Sequence, residues 1–173
     1  MNKKGASNIT LLAMLITVSL MLSYVETLIP AIPIPGAKIG LPNVVTLIAL
    51  NTLGFWGAAA ITITRTLLSA LLFSSIISWV YSIAGGMISL IVMYILMKLF
   101  DDKMSLLAVS ISGAIVHNLA QLGVAILVLE TISVATLLPW LLIISIPAGI
   151  VVGIAAKSSL KYFKRSLRVR VSQ

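Results

Sequence analysis

The 173-residue sequence contains no cysteine and one histidine. Without thiols there is no disulfide, no thiolate zinc site and no iron–sulfur cluster, and one imidazole does not build a histidine-based metal site by itself. Charge is nearly as scarce. Charged residues make up 9% of the chain, where a soluble domain carries about a quarter. Acids number four, and no paired-carboxylate or Ser-His-Asp arrangement is visible. What is abundant is hydrocarbon: 60% of residues are hydrophobic and the mean hydropathy is +1.18. So little charge cannot cover a folded chain of this size in water, so most of its surface must face lipid. The sequence predicts an all-α, polytopic membrane protein with no cofactor.

Two partial motifs fail on inspection. Gly153-Ile-Ala-Ala-Lys157-Ser158 lacks the glycine before the lysine and the spacing of a phosphate-binding loop, so ATP hydrolysis is not expected of this chain. Asp101-Asp102-Lys103-Met104-Ser105 matches half of the DDxxD pattern that coordinates magnesium, but position 105 is serine and no second acidic cluster follows. An enzyme is not expected.

Four long apolar spans are evident, at about 8–29, 79–99, 105–129 and 137–156; each approaches the ~20 residues that cross a bilayer. The first is too long for a signal h-region of about 7–15 residues and has prolines where a cleavage site would be, so it is expected to be retained. The stretch from Asn43 to Ser75 is too long for one span. A break at Leu53-Gly54-Phe55-Trp56-Gly57 divides it into a short helix, 43–53, and a full span, 55–75. Charge favours six helices over five. With six, Lys3, Lys4, Lys98, Lys103, Lys157, Lys161, Lys164, Arg165, Arg168 and Arg170 share one side, and the other side keeps Lys38. Lys and Arg accumulate on the cytoplasmic side. Both termini are therefore expected in the cytoplasm, as part of a single membrane domain with a basic tail at 157–173. The net charge of +8 then serves topology and lipid contact, and no nucleic-acid partner is expected.

Ionisable and polar residues at membrane depth are costly, which makes each a candidate. Arg65 falls near the midplane; it is either bonded to main-chain carbonyls or Glu26, or anchors an anionic or carbonyl-rich ligand. His117, Asn118 and Gln121 lie within five residues of helix five. They are either interhelical hydrogen-bond donors and acceptors or the wall of a cavity. Glu26 and Lys38 are either a surface ion pair or the rim of an outward pocket. Asn43 reads as an N-cap after Pro42, on a short helix of the kind that marks transporter sites. Small residues at four-residue spacing (Gly54, Ala58, Thr62, Thr66, Ala70; Gly149, Gly153; Ser19, Ser23) mark helix contacts.

The order of these features resembles the substrate-binding S components of energy-coupling-factor (ECF) transporters. The stretches GLPNVVTLIAL (40–50), LGFWGAAAITITRTLLSALLFSS (53–75), SIAGGMISLIVMYIL (82–96) and SGAIVHNLAQLGVA (112–125) are similar to the Gx transporter family, also labelled heptaprenyl diphosphate synthase component I. The resemblance implies a vitamin- or cofactor-sized ligand taken from outside, a membrane coupling subunit and ATPases as partners, and a first loop, PAIPIPGAKIGLPN (30–43), acting as a lid over residues Glu26, Asn43, Arg65, His117, Asn118 and Gln121, with Lys38 closing on the ligand. Such relatives are also linked to quinone synthesis and flavin-based electron transfer, which leaves an accessory membrane subunit as the alternative.

Overall fold

The structure, a computed structural model, describes residues 3–29, 40–100 and 103–171, with side chains for those between 8 and 162. Six α-helices account for nearly all of it: α1 (Lys3–Thr27), α2 (Asn43–Thr52), α3 (Gly54–Phe73), α4 (Ile76–Phe100), α5 (Leu106–Leu129) and α6 (Leu138–Val171), with a 3₁₀ segment at Ile132–Leu137 before α6. Five of the helices are long and apolar enough to cross a membrane, and α2 is a shorter apolar helix. The chain is an all-α polytopic membrane protein.

The helices form a ring. α3 packs on α4, α4 on α5 and α5 on α6, while α1 lies against α3 and α2 sits between α6, α3 and α1. Consecutive helices run in opposite directions, as their pairings show: Ser89 meets Gly113 across α4 and α5, and Ser110 meets Gly149 across α5 and α6. One end of the ring thus gathers the ends of α1, α3 and α5 and the starts of α2, α4 and α6; it is called here the proline end, after Pro42 before α2 and Pro139 in the first turn of α6. The opposite end carries Lys98, Lys103, Lys157 and Lys161.

The polarity of the surface is inverted relative to a soluble bundle. Leu67, Leu71 and Leu72 of α3 are exposed, whereas Thr62, Arg65, Thr66 and Ser69 of the same helix are buried. Positions 62, 65, 66 and 69 follow the three- and four-residue spacing of one helix face, so one polar stripe is turned inwards and the leucines outwards to lipid. The apolar core is built round α2, whose Val45, Leu47, Ala49 and Leu50 are buried against Ala58, Ile61, Leu90 and Met93. A helix of 10 residues covers only ~15 Å, so its neighbours enclose it almost completely.

Close approach is set by small residues. A Cβ on Gly149 would stand 2.6 Å from the Ile111 backbone, and one on Gly153 2.9 Å from Leu107; these glycines let α6 lie directly on α5, as their spacing predicts. The turn between α2 and α3 falls at Leu53 and Gly54. Gly54 has φ +74°, a left-handed conformation that glycine adopts without steric penalty. Two details differ from expectation. α4 starts at Ile76, three residues earlier than the aromatic flank at Trp79 implied. α6 does not stop at Ala156 but remains helical through the basic segment to Val171, because nothing between them breaks a helix: the stretch has no Pro or Gly.

Candidate functional site

Arg65 lies about 16 Å along α3 from Gly54, near the middle of the helix, and is 4% exposed. Its Nη1 donates to Ser23 Oγ of α1 across 3.4 Å, a long contact. Nε and Nη2 are buried and have no hydrogen-bond acceptor among the described residues. The guanidinium extends from α3 towards α4, where Nη2 is 3.5 Å from the place a Cβ on Gly86 would occupy. Among the described residues no main-chain oxygen accepts from these two nitrogens, and the side chain is shielded from lipid.

The next glycine receives the other half of the site. A Cβ on Gly85 would stand 2.9 Å from His117 Cε1, 3.0 Å from Nδ1 and 3.1 Å from Gln121 Cγ. One turn of α4, stripped of side chains at two successive positions, thus accommodates Arg65 from α3 on one side and His117 and Gln121 from α5 on the other. Gly113, four residues before His117, lies against Met93 and Ser89 of α4, so the Gly113, His117, Gln121 stripe faces α4 along its whole length. Asn118, rotated by about 100° on the helix, faces α6 instead: its Nδ2 donates to Ser145 Oγ at 2.7 Å, and Ser145 in turn donates to Leu141 O. Its Oδ1 is buried and accepts no hydrogen bond among the described residues.

The proline end is closed by Glu26. Its carboxylate accepts the backbone N–H of Gly40 and, at 3.2 Å, that of Leu41, the residues leading into α2. Glu26 is 6% exposed, so it is a buried anchor between α1 and the residues leading into α2. Lys38 lies outside the described residues. Asn43 is not the N-cap of α2: Pro42 occupies that position and no side chain caps it, because the first helical N–H groups, those of Asn43, Val44 and Val45, donate to the carbonyls of Gly40, Leu41 and Pro42. The Asn43 side chain lies instead beside Gly40, whose φ of +92° and lack of a Cβ bring it 2.8 Å from Asn43 Nδ2 and 3.6 Å from His117 Cδ2, measured at the point a Cβ would occupy. The helix start thereby touches α5.

The structure brings together Glu26, Asn43, Arg65, His117 and Gln121 in the proline-end half of the ring, and turns Asn118 to the adjoining α5–α6 seam. Residues not singled out in the sequence join them, Gly85, Gly86 and Ser82 one turn before Gly86, together with Ser69 one turn beyond Arg65, which helical spacing places on the face of Arg65. Ser69 and Ser82 hydroxyls are buried with no partner among the described residues. Two adjacent glycines inside a membrane helix were the available signal. By contrast, a recess of about 350 Å³ lined by Leu20, Met21, Tyr24, Val25 and Phe73 is wholly apolar and open to lipid.

An inverted bundle with a buried polar interior defines a multi-pass membrane protein whose specific chemistry lies at one depth. The chain belongs to the heptaprenyl diphosphate synthase component I family, whose model matches residues 15–159. No curated protein and no solved structure matches it.

Proposed function

We propose that the protein is the small-molecule-binding membrane subunit of an ECF-type transporter. Both termini lie in the cytoplasm, the single membrane domain ends in a basic cytoplasmic tail at 157–173, and uptake is energised by a separate membrane coupling subunit and ATPases. The chain itself is not catalytic. Glu26, Lys38, Asn43, Arg65, His117, Asn118 and Gln121 form the ligand site, and the proline-rich segment 30–42 closes over it.

One observation carries this reading: Arg65 is buried near mid-depth with two guanidinium nitrogens that find no acceptor among the described residues. A buried donor left unsatisfied costs about 1–3 kcal/mol, more when it is charged, and an arginine at membrane depth marks a substrate path by default. A ligand entering at the proline end supplies the missing acceptors. The test is mass spectrometry of the small molecules that co-purify with the protein in detergent. Arg65→Ala is expected to empty the site while the helical content and unfolding midpoint change little. Parallel loss of both would make Arg65 a structural residue and end the transport reading.

A second reading is favoured by the family description, which names a component of a synthase, and by the basic helix that continues α6. In it the chain is a non-catalytic accessory subunit for isoprenoid or quinone synthesis, or for a flavin-based redox assembly. Capture of a soluble enzyme that survives Arg65→Ala but not removal of residues 157–173 would favour it.

A further inference from the structure

The seam between α3 and α4 carries polar groups that reach well beyond Arg65. Gly86 of α4 lies against Thr62 and Arg65 of α3. A short turn after Phe73 leads straight into α4 at Ile76, so the two helices run antiparallel. This register places Ser69 of α3 level with Ser82 of α4, one turn nearer the proline end than Arg65 and Gly86. Both hydroxyls are buried without a partner among the described residues. Trp79 precedes Ser82 by three residues and Gly86 by seven, a spacing that keeps all three on one face of α4. Its Nε1 is likewise buried with no acceptor among the described residues.

A buried indole N–H ordinarily finds a partner, and a tryptophan at a membrane boundary finds one in water or headgroups. Trp56 and Trp140 are exposed, whereas the Nε1 of Trp79 is turned inwards. With Nε and Nη2 of Arg65, the seam thus holds three buried nitrogens that can donate and cannot accept. Unpaired buried donors weaken a fold, and residues that break such a rule concentrate at functional sites. From the level of Gly86 to that of Trp79 is about 10 Å of helix.

We propose that Ser69, Ser82 and Trp79 are binding residues of the ligand site inferred above, on which this assignment rests. The ligand lies along the α3–α4 seam and presents acceptor oxygens or nitrogens at two levels about 10 Å apart, one at Arg65 and one at Trp79. The class recognised is an elongated molecule with acceptors at both ends, and not one whose single polar head meets Arg65 alone.

Two effects of opposite sign follow. Removing an unpaired buried donor relieves a desolvation cost in the empty protein, but it deletes a contact to the ligand. The full-length Trp79→Phe and Ser69→Ala/Ser82→Ala variants are purified in detergent beside the unsubstituted chain and Arg65→Ala. Co-purifying small molecules are quantified by mass spectrometry, and the unfolding midpoint is measured after exhaustive washing has removed them. A species lost from Arg65→Ala is expected to fall about threefold or more in both variants, with the washed midpoint unchanged or raised. Retention of that species by either variant overturns the assignment and leaves the binding reading intact. So does a species whose acceptors all lie at one end, or a lower midpoint in either washed variant, which would make these groups structural. Absence of any species lost from Arg65→Ala overturns both. Trp79→Phe also removes volume, so replacement of the Trp79 indole by benzothiophene, which keeps the shape without the N–H, is the second variant, and its midpoint decides at that position.

Discussion

At the scale of single residues, the interior depends on side chains that are absent. Gly85 and Gly86 leave room for His117, Gln121, Thr62 and Arg65 within one turn of α4. Gly85→Ala would drive a methyl group into the His117 ring. It is expected to cost about 1–3 kcal/mol, the usual penalty of overpacking, read as a lower unfolding midpoint in detergent. At Gly86 the obstacle is the Thr62 methyl at 2.8 Å, while Arg65 Nη2 at 3.5 Å is in ordinary contact. The Thr62 hydroxyl lies 3.4 Å from that of Thr46. Gly86→Ala is therefore expected to displace Thr62 and to lower stability more than ligand occupancy, checked by comparing co-purified ligand with the midpoint. Glu26→Ala leaves the N–H groups of Gly40 and Leu41, just before α2, without their acceptor, at an expected cost of about 1–3 kcal/mol for each that stays buried. Glu26→Gln retains an acceptor oxygen and should recover part of that loss, which the same unfolding measurement would show.

At the scale of elements, α2 illustrates how a short apolar helix persists in a membrane protein. It lacks a side-chain cap, although its first N–H groups donate to the carbonyls of Gly40, Leu41 and Pro42, and it spans half a bilayer. Burial on all sides and the bond from Glu26 of α1 fix it. The α5–α6 pair is held differently, by Ser110 to Gly149 O and by Asn118 to Ser145, with glycines between. Polar bonds between membrane helices average about 0.6 kcal/mol. Ser145→Ala also leaves Asn118 Nδ2 buried without its acceptor, so about 1–2 kcal/mol is expected, and ligand occupancy should change less than for Arg65→Ala if Asn118 acts mainly as a seam residue. Equal effects of the two substitutions on occupancy would place the Asn118 amide in the site itself.

At the scale of the whole molecule, the distribution of charge argues for one orientation. The basic end carries Lys98, Lys103, Lys157 and Lys161, and Glu130 lies at the opposite end, exposed and in a left-handed conformation that terminates α5. The absence of cysteine makes this directly measurable. Single substitutions Ser158→Cys and Glu130→Cys, labelled in intact cells with a membrane-impermeant maleimide, are expected to react from opposite sides: Glu130→Cys at once and Ser158→Cys only after the membrane is opened. The reverse order would invert the topology and place the proline end in the cytoplasm. α6, 34 residues and thus ~51 Å long, exceeds the ~30 Å hydrocarbon core, so its basic end extends beyond the bilayer on whichever side it lies.

The sequence alone determined the class of protein and the number of helices. Scarce charge, long apolar runs and a glycine-bearing break act locally, through hydration and backbone geometry, and need no knowledge of neighbours. It also identified Arg65 and the His117–Gln121 face as costly residues that require partners. Tertiary structure decided which partners they meet: Arg65 beside Gly86 and Ser23, His117 over Gly85, Asn118 on Ser145, and Glu26 on the start of α2 in place of an Asn43 cap. These pairings join helices distant in the chain, and helical periodicity specifies a face but not the helix it meets. That choice arises from packing, where the absence of two side chains on α4 governs what can approach.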